Sequence, residues 1–291
     1  MEHKAGFVNI VGSPNVGKST LMNQLLGEKL SIVTSKAQTT RHRIMGIANG
    51  DDYQIVFSDT PGVVNTAYNL HEHMMEYVST SLKDADILIF ITDIHEDEMN
   101  HKETLEKIVH LKIPILLIIN KIDLGDQAKV KERIEYWHSK VPQAEIIPAS
   151  ALHGFNKEWI WERIMELLPV HPPYFDKDDI SDRSMRFFVS EIIREKILLN
   201  TSKEVPYSSQ VVVEEYKEAE DIVHIRAVII VERDTQKGII IGKGGSMLKR
   251  IGIDARKGIE EFVGKKIFLQ TFVKVDKDWR KDEKKLRNYG Y

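Results

Sequence analysis

Cysteine is missing from this chain of 291 residues. Its absence excludes disulfide bonds and cysteine-ligated metal sites, and it is compatible with a reducing compartment. Long apolar runs are missing too, since no apolar stretch reaches the roughly 18 residues that a membrane-spanning helix needs. Residues 1–5 lead into an apolar strand signal without the apolar region of a signal peptide. We therefore expect no segment that spans a membrane.

The composition otherwise indicates a globular protein of two domains. Hydrophobic residues make up 42% of the chain and charged residues 29%, a balance typical of folded soluble proteins. The net charge is −3, although residues 242–291 contain 14 Lys and Arg against 7 Asp and Glu. An acidic front and a basic tail favour contact of the C-terminal part with a polyanion, either nucleic acid or an anionic membrane surface. A solvated charged helix would produce the same pattern.

A phosphate-binding pattern, G-x-x-x-x-G-K-[ST], lies near the start of the chain. It covers Gly12, Ser13, Pro14, Asn15, Val16, Gly17, Lys18, Ser19 and Thr20. Residues 7–11 predict a buried strand before it, and residues 19–26 predict a helix whose N-terminus faces the anion. In such a loop, backbone N–H groups surround the phosphates, Lys18 reaches the terminal two, and the Ser19 hydroxyl ligates Mg²⁺. The stretch predicts binding of a nucleoside polyphosphate; the alternative is an ordinary tight turn.

A second motif follows a predicted hairpin. Strand signals over residues 44–48 and 53–57 flank an Asn-Gly pair and run into Asp59-Thr60-Pro61-Gly62. An acidic residue at the end of a strand beside a phosphate loop is the expected holder of Mg²⁺. Gly62 can offer its backbone N–H to a terminal phosphate and can hinge the next segment. Residues 29–43, before the hairpin, are polar without periodicity and predict a mobile loop.

Helix and strand patterns then alternate. Helices are predicted over residues 70–82, 99–111, 130–138 and 155–168, and strands over 87–91, 115–119 and 145–149. The strands are nearly continuous apolar runs, which indicate a mainly parallel sheet covered on both faces. Together with the first strand and the hairpin they predict a sheet of six strands.

Two of these strands end in motifs for a base. Asn120-Lys121-Ile122-Asp123 follows one strand, and Ser150-Ala151-Leu152 follows the next. The carboxylate of Asp123 can accept from both N1–H and the exocyclic amino group of guanine, a pair of donors that adenine lacks. The backbone of residues 150–152 can contact the guanine carbonyl. The predicted base is therefore guanine.

These four motifs, in this order and at these spacings, resemble the translation-factor-like class of GTPases. Within Gln38-Thr39-Thr40-Arg41-His42-Arg43, the family pattern favours Thr40 as the residue that closes on Mg²⁺ and the terminal phosphate, with Thr39 as the second choice. The resemblance implies Mg²⁺ ligation by Ser19, Thr40 and Asp59, and catalytic roles for Lys18, Thr40 and Gly62.

Two positions bear on the rate of hydrolysis. Small signalling GTPases place a water-orienting Gln directly after Asp-x-x-Gly, whereas this chain has Val63 there. An aliphatic side chain cannot orient water, so we expect slow intrinsic hydrolysis. Asn15 matches the residue that helps hold K⁺ near the phosphates in GTPases that resemble this one. The alternative is that Asn15 only stabilises the turn.

A second domain is predicted after a proline-interrupted acidic stretch that begins at residue 171. Its predicted elements are helix 186–199, strand 210–216, strand 222–231, helix 235–241, helix 246–262 and strand 266–275. The loop between the last two helices is Gly242-Lys243-Gly244-Gly245. In this helix–loop–helix setting it resembles a KH domain, which clamps about four nucleotides of single-stranded backbone.

Basic residues follow the loop. Lys249 and Arg250 lie away from the apolar stripe of the predicted helix, so they can track RNA, although simple solvation explains them equally. Trp279 lies among basic residues, where it can stack on a nucleobase or pack against its own domain. The predicted RNA-binding residues are Gly242, Lys243, Gly244, Gly245, Lys249 and Arg250.

Across nearly its whole length the chain resembles the Era family. Stretches that carry the resemblance, besides the motifs above, include Glu204-Val205-Pro206-Tyr207 and the run from Gln236 to Gly245. The resemblance implies a P-loop GTPase domain with a mostly parallel six-stranded sheet, followed by a smaller α+β type II KH domain. The implied limits are 1–170 for the GTPase domain, 171–184 for a linker, 185–280 for the KH domain and 281–291 for a basic tail.

The resemblance also implies a function. We expect a monomeric GTPase that uses GTP/GDP and Mg²⁺, binds the 3′ region of 16S rRNA and assists assembly of the 30S ribosomal subunit. It would work in the cytoplasm, with peripheral association at the cytoplasmic face of the cell membrane. Two alternatives remain: a metabolic phosphoryl-transfer enzyme, disfavoured by the guanine motif, and a GTP-gated membrane or protein adaptor that does not act through RNA.

Overall fold

The computed structural model of the protein describes residues 2–99 and 101–291, and the chain clusters into two units. The first unit contains residues 2–31, 40–67, 71–99 and 101–182. The second contains residues 183–291 together with two short segments, Ile32–Thr39 and Tyr68–Leu70. These two segments are therefore far in sequence from the main part of the unit to which they belong.

A six-stranded sheet forms the centre of the first unit. Its strands are β1 (Lys4–Gly12), β2 (Ile44–Asn49), β3 (Tyr53–Asp59), β4 (Ile87–Asp93), β5 (Ile115–Asn120) and β6 (Glu145–Pro148). They lie in the order β2-β3-β1-β4-β5-β6. β2 pairs antiparallel with β3, whereas the other neighbouring pairs are parallel. The expectation of a mostly parallel six-stranded sheet is confirmed.

The helices of the first unit connect these strands. They are α1 (Lys18–Leu26), α2 (Asn69–Lys83), α3 (Lys102–Val109), α4 (Gln127–Lys140) and α5 (Lys157–Leu167). The prediction was wrong at the start of α3, which begins three residues after Met99. The Met99 side chain lies in the core at 4% exposure, but its backbone is not helical. An apolar residue that is buried from a loop gives the same signal as the first turn of a helix.

Both faces of the central strands are buried, as the continuous apolar runs of the sequence predict. Residues 87–92 of β4 and 115–120 of β5 are all buried. Trp137 from α4 is fully buried and its ring lies 5.2 Å, edge to face, from that of Phe90. Such aromatic pairs add about 0.5–1.5 kcal/mol beyond the burial of their area. The strands are thereby held in place from both sides, which fixes the loops at their ends.

The proline-containing segment 171–182 belongs to the first unit. Oε1 of Gln54 accepts from the backbone N–H of Tyr174 at 2.7 Å. The backbone N–H of Ile47 donates to the carbonyl of Ile180 at 3.0 Å. The segment thus follows the hairpin that β2 and β3 form.

A three-stranded sheet, two long helices and one short helix form most of the second unit. In chain order the elements are α6 (Met185–Asn200), β7 (Gln210–Glu218), β8 (Ile222–Val231), α7 (Asp234–Ile241), α8 (Ser246–Val263) and β9 (Lys266–Val275). The sheet order is β7-β8-β9, with β7 antiparallel and β9 parallel to β8. This is the predicted order of helices and strands.

The α8 helix is held by an apolar stripe. Ile251, Ala255 and Ile259 follow the four-residue spacing of one helix face, and each is fully buried. Burying an isoleucine side chain contributes about 1.5–3 kcal/mol. Lys249, Arg250 and Arg256 are exposed, so the helix presents a basic face to solvent, as its sequence predicts.

The C-terminal residues are folded. A short helix, α9 (Glu283–Asn288), begins after Asp282, whose side chain accepts from the backbone N–H of Lys284 and Lys285. Trp279 is fully buried, and its indole N–H donates to the carbonyl of Ser208 at 3.0 Å. Trp279 therefore packs against its own domain, and the alternative that it stacks on a nucleobase is wrong. Over residues 2–99 and 101–291, no helix has the length and hydropathy needed to cross a membrane.

Candidate nucleotide site and nucleic-acid interface

Four loops of the first unit lie at one edge of its sheet. They follow β1, β3, β5 and β6, whose carboxyl ends point the same way because these strands are parallel. The loops contain residues 12–20, 59–63, 120–123 and 150–152. The edge at which ligands bind in open parallel sheets thus contains all four predicted nucleotide motifs.

The phosphate loop is fixed by a contact with the base motif. Nδ2 of Asn120 donates to the carbonyl of Val16 at 2.7 Å. Gly17 has a φ of +105°, and a Cβ there would lie 2.1 Å from the same Asn120 nitrogen. Only glycine fits both the backbone conformation and this close approach. The two motifs, about a hundred residues apart, therefore form one structure.

The Lys18 side chain, including its amino group, is buried in the phosphate loop. Its side chain is 6% exposed, and its Nζ donates to the carbonyls of Gly12 at 3.1 Å and Ser13 at 2.7 Å. Burial lowers the pKa of Lys18 to about 8, while the negative charges of Asp59 and Glu96 partly oppose this shift. A phosphate group beside Lys18 would add a further negative charge, which favours the charged form of the buried ammonium group.

The predicted metal ligands lie together. The Ser19 hydroxyl donates to Oδ2 of Asp59 at 2.6 Å and lies 3.0 Å from Oγ1 of Thr40. Thr40 Oγ1 also donates to Oδ2 of Asp59 at 3.3 Å. Asp59 is fully buried, and this burial raises the pKa of its carboxyl group against the opposing hydrogen bond from Ser19. A bound cation would favour the ionised carboxylate.

This cluster fits Mg²⁺. Two hydroxyl oxygens and a carboxylate are hard oxygen donors of the kind that Mg²⁺ takes alongside phosphate oxygens and water. Within the part of the chain that the structure describes, Oδ1 of Asp59 is buried with no hydrogen-bond partner. Thr39, the second choice for the switch threonine, has its hydroxyl engaged elsewhere: it donates to the Lys36 carbonyl at 2.7 Å and lies 2.6 Å from Oγ1 of Thr34. The geometry favours Thr40.

The Asp-Thr-Pro-Gly loop lies directly against the phosphate loop. The backbone N–H of Val63 donates to the carbonyl of Gly12 at 3.1 Å. A Cβ on Gly62 would lie 2.8 Å from Cα of Pro14, so glycine is required for this approach. Thr60, before Pro61, donates its hydroxyl to the carbonyl of Ile10 at 2.7 Å. The Val63 side chain is buried in the core, which leaves no side chain at this position to orient water.

The base motifs also contact each other. Oδ1 of Asn120 accepts from the backbone N–H of Ala151 at 2.8 Å. The Ser150 hydroxyl donates to Oδ1 of Asp123 at 2.5 Å, which orients that carboxylate. The side chain of Leu152, by contrast, is 70% exposed. Asn120 thus joins the phosphate loop to the loop after β6, and Asp123 is left with one oxygen free of Ser150.

Two acidic residues at the site were not found from the sequence. Asp93, at the end of β4, accepts from Nζ of Lys121 at 2.8 Å. Glu96 accepts from the hydroxyls of Ser13 and, at 2.7 Å, Thr92. Burial raises the pKa of the Glu96 carboxyl group. Neither residue belongs to a motif, and the contacts that bring them to the site, Glu96 with Ser13 and Asp93 with Lys121, join residues that are distant in sequence, so no local signal could have revealed them.

The structure is compatible with both interpretations of Asn15, as a ligand of K⁺ and as a residue that stabilises the turn. It is exposed, and its φ of +64° is a left-handed conformation that asparagine tolerates better than most residues. Thr20 continues α1 behind the loop. The backbone conformation accounts for an asparagine in this turn, and an asparagine side chain is also able to ligate a cation through its amide oxygen.

In the second unit, the Gly-Lys-Gly-Gly loop precedes the N-terminus of α8. Gly242, Gly244 and Gly245 have φ values of +71°, +58° and +80°. A Cβ on Gly242 would lie 2.7 Å from Cβ of Met247. Lys243 is exposed. The loop thus offers backbone N–H groups, a lysine and a helix N-terminus, which together favour a phosphate group.

A groove of about 400 Å³ adjoins this loop. Its lining includes Gly245, Leu248, Lys249, Ile253, Arg256 and Leu269. The apolar lining side chains suit bases, and the basic ones suit phosphates. Arg250 lines a separate groove of about 450 Å³ with residues of α6, such as Lys196. The structure therefore brings together five of the six predicted RNA-binding residues and places Arg250 apart from them.

Comparisons with known proteins agree with this geometry. Residues 7–121 match the family model described as a 50S ribosome-binding GTPase, and residues 204–280 match that of a KH domain. The chain is 45% identical over 292 aligned residues to the GTPase Era of Geotalea uraniireducens strain Rf4, covering 100% of this chain and 98% of the relative. It is also 45% identical to the GTPase Era of Geotalea daltonii, over 99% of this chain and 97% of the relative.

Two solved structures match over almost the entire chain. One is Era in complex with MgGDPNP and nucleotides 1506–1542 of 16S ribosomal RNA, and the other is a variant of Aquifex aeolicus Era bound to GDP and aluminium fluoride. Each has a TM-score of 0.94 and 40% identity, and covers 99% of both chains. The predicted fold class, a P-loop GTPase domain followed by a KH domain, is confirmed.

Proposed function

The chain belongs to the GTPase Era family, and we propose that it is a GTP-hydrolysing switch that binds the 3′ region of 16S rRNA and assists assembly of the 30S ribosomal subunit. The observation that carries the RNA part is the solved Era bound to nucleotides 1506–1542 of 16S rRNA, at 40% identity over 99% of this chain. The Gly242–Gly245 loop, in which Lys243 and Gly244 are exposed, and its adjoining groove with Lys249 and Arg256 support the same assignment.

At the phosphates, Lys18 and the backbone of Gly12–Thr20 hold GTP in place. Ser19, Thr40 and Asp59 would hold Mg²⁺, which offsets the negative charge that develops during phosphoryl transfer. The Gly62 N–H faces the terminal phosphate in this proposal. Because GDP lacks that phosphate, the interactions of Thr40 and Gly62 depend on the nucleotide state, which makes them the switch.

Hydrolysis is slow in this proposal. The attacking water needs a polar group to orient it, and the side chain that follows Gly62 is the buried Val63. The phosphate-loop position of Asn15 is the candidate site for K⁺. Base choice rests on Asp123, whose carboxylate is oriented by Ser150 and matches the two donors of guanine.

In the second unit, the RNA backbone crosses Gly242–Gly245 and the bases enter the groove beside Lys249. The GTPase and KH domain limits, 1–170 and 185–280, remain our proposal, as do the linker 171–184 and the tail 281–291. We further propose that the protein is a cytoplasmic monomer with peripheral association at the cytoplasmic face of the cell membrane. The family resemblance supports these cellular features.

A titration with RNA tests this function. The probe is a single-stranded oligoribonucleotide of the 16S 3′-terminal sequence, and its affinity is measured with GDPNP and with GDP at one fixed salt concentration, because phosphate contacts are strongly salt-dependent. We expect tighter binding with GDPNP. Equal affinities would mean that the nucleotide does not control RNA access, and no binding in either state would favour the adaptor without RNA.

A variant pair assigns the RNA site. Lys243→Asp with Gly244→Asp adds two carboxylates to the loop, and aspartate tolerates the left-handed φ of Gly244 better than most residues. The control is Lys284→Asp with Asn288→Asp on α9, which changes net charge by the same amount at exposed positions. RNA affinity should fall at least tenfold more in the loop variant, with GDP affinity and thermal stability unchanged. Equal losses in both variants would leave only a general charge effect.

A further inference from the structure

The three-stranded sheet of the second unit has one face in the core and one face outside it. Val223, Ile225 and Ile267 belong to the core, with apolar residues of α6 and α8. Successive residues of a strand point to opposite faces of a sheet, so the sequence neighbours of these core residues lie on the other face. On β8 and β9 we name that other face the outer face, and its members include His224, Arg226, Lys266, Phe268, Phe272 and Lys274.

Two phenylalanine rings of the outer face are open to solvent. Phe268 and Phe272 are 47% and 45% exposed. Both belong to β9, a ten-residue strand at the edge of the sheet. Exposed apolar residues on a long edge strand favour unwanted pairing with other chains, and proteins commonly place charged residues there instead. Packing of the core does not account for these two rings, so a ligand is the better explanation for them.

Each phenylalanine has a basic neighbour on β8. The imidazole of His224 lies 5.5 Å from the ring of its register partner, Phe268. The guanidinium of Arg226 lies over the ring of Phe272, with Cζ 4.9 Å from the ring centroid. Phenyl rings, imidazoles and guanidinium planes are the groups on which proteins stack unpaired nucleobases. The outer face thus presents two such pairs side by side.

The two strands that form the outer face are basic. They contain Arg226, Lys266 and Lys274 and no acidic residue. The two lysines lie near opposite ends of β9, and both are exposed. The acidic neighbour is Glu214 of β7, 3.3 Å from Nε of Arg226, in a pair whose side chains are half exposed and which is therefore weak. Positive charge beside exposed rings complements a chain of phosphates with unpaired bases.

The outer face also adjoins the groove beside the Gly-Lys-Gly-Gly loop. Leu269 and Thr271 line that groove, and they alternate along β9 with the residues of the outer face. Because β9 is an edge strand, a polymer that leaves the groove reaches the outer face by passing around a single strand. A KH groove holds about four nucleotides, so a longer RNA has further nucleotides available for this second surface. This continuity favours RNA over a protein as the occupant.

We propose that the outer face is a second contact surface for single-stranded RNA, on which Phe268 and Phe272 stack on nucleobases. Arg226 and the two lysines of β9 contact the phosphates. The two phenylalanines are four residues apart, or about 13 Å along the strand, so they take two separate bases. This inference rests on the proposed function, because it extends the path of an RNA that is already bound at Gly242–Gly245.

The test variant is Phe268→Leu with Phe272→Leu, which keeps the outer face apolar and removes its aromatic rings. The rescue variant is Phe268→Tyr with Phe272→Tyr, because tyrosine retains a ring that stacks and suits a strand. The matched control is Trp159→Leu in α5, an aromatic residue of similar exposure at 46%. All of these positions are exposed, so the thermal unfolding temperature should change little.

Two oligoribonucleotides of the 16S 3′-terminal sequence serve as probes: a short one of about five nucleotides, which is enough for a KH groove, and a long one of about twenty. Affinities are measured with GDPNP at one fixed salt concentration. In the leucine variant the affinity for the long probe should fall about tenfold or more, because the loss of one base–aromatic stack alone costs about fivefold or more. Its affinity for the short probe, and both affinities of the tyrosine variant and of Trp159→Leu, should stay within about twofold.

Salt dependence separates the rings from the charges. Lys266→Gln with Lys274→Gln should make the slope of log affinity against log salt concentration for the long probe shallower by about one to two, since each lost phosphate contact releases fewer counterions. The leucine variant should keep the slope of the unmodified protein, because stacking involves no counterion. An unchanged slope in the lysine variant would mean that the phosphates do not follow β9.

Several outcomes would overturn the proposal. Equal affinities of the leucine variant and of Trp159→Leu for the long probe would show that the rings do not contact RNA. An equal loss for both probes would mean general damage to the KH domain, and an equal loss in the tyrosine variant would exclude stacking. Sedimentation that shows self-association of the unmodified protein, lost in the leucine variant, would assign the outer face to a second copy of this chain.

These failures differ from a failure of the proposed function. In each of them the unmodified protein binds the short probe, and Lys243→Asp with Gly244→Asp abolishes that binding. If neither probe binds the unmodified protein, the proposed RNA function fails, and the outer face fails with it as an RNA surface.

Discussion

Raising the pH tests the electrostatics of the phosphate loop through a single residue. Lys18 is buried, and desolvation lowers its pKa from 10.5 to about 8. A shift of this size means that burial disfavours the ammonium form of Lys18 by about 3 kcal/mol. Nucleotide phosphates should remove most of this penalty, because an opposite charge within a few ångströms favours the charged form.

The sign of the effect follows from where protons are bound. Between pH 8 and 10.5 the unfolded chain holds a proton on Lys18 that the folded chain has lost, so this residue makes the folded state more stable as the pH rises through that window. The affinity for nucleotide changes with pH in the opposite direction. Above pH 8, GDP must bring a proton back to Lys18, so its affinity should fall by up to about tenfold per pH unit.

Calorimetry in two buffers of different ionisation enthalpy measures this proton directly. We expect about 0.9 proton taken up per GDP at pH 9 and about a quarter of a proton at pH 7.5. Glu96→Gln serves as a sign test: the Glu96 charge raises the pKa of Lys18, so its removal should move the midpoint of proton uptake below pH 8. Uptake near zero at pH 9, or a midpoint that moves upward in Glu96→Gln, would refute the reasoning.

Three further predictions concern other parts of the chain. Asp123→Asn should bind xanthine nucleotides better than guanine nucleotides, because an amide donates to the C2 carbonyl of xanthine; undiminished GTP affinity in a competition assay would contradict this. GTP turnover should be faster in potassium than in sodium, and Asn15→Ala should remove the difference. Equal rates of the unmodified protein in the two salts would mean that Asn15 only stabilises the turn. Trp279→Ala should lower the free energy of unfolding by about 3–5 kcal/mol in a urea titration, since the ring is fully buried and hydrogen-bonded. A loss below 1 kcal/mol would mean that the C-terminal residues do not pack as described.

The parts of the site that the sequence predicts are the contiguous ones. A phosphate loop needs its glycines, lysine and serine within a few positions, so the pattern is visible without a fold. Parallel strands then bring Asp59, Asn120 and Ser150 to the same edge, because each follows a buried apolar run. A mostly parallel sheet of six strands was predictable for the same reason.

Segments with weak patterns were read less well. Helix α9 has one buried apolar residue, Leu286, among charged ones, so it lacks the periodic stripe that indicates a helix. Its N-cap, Asp282, is the available signal, since Asp before a helical stretch is a start signal. Burial of Trp279 was undecided for a physical reason: an aromatic among lysines suits both a stacking surface and a packed one, and only the position of Ser208 and of Tyr289 decides between them.

Long-range polar contacts were beyond the sequence altogether. Glu96 bonds to Ser13 across 83 positions and Arg194 to Thr39 across 155, and neither pair shares a pattern. Buried charge alone does not identify such residues. Arg43 is also buried, and it donates to Ser58 at 2.6 Å and to Asp84.

The partner is what distinguishes these cases. Arg43 bonds to Ser58 in β3 and to Asp84 directly after α2, so its bonds add to a structure in which strand pairing already fixes β3. Arg194 bonds to the carbonyl of Thr39, in a stretch with no strand or helix of its own, so its bond defines the conformation there. A buried charge that bonds to an otherwise unpaired backbone fixes the conformation of that backbone. A buried charge within regular structure can change mainly stability.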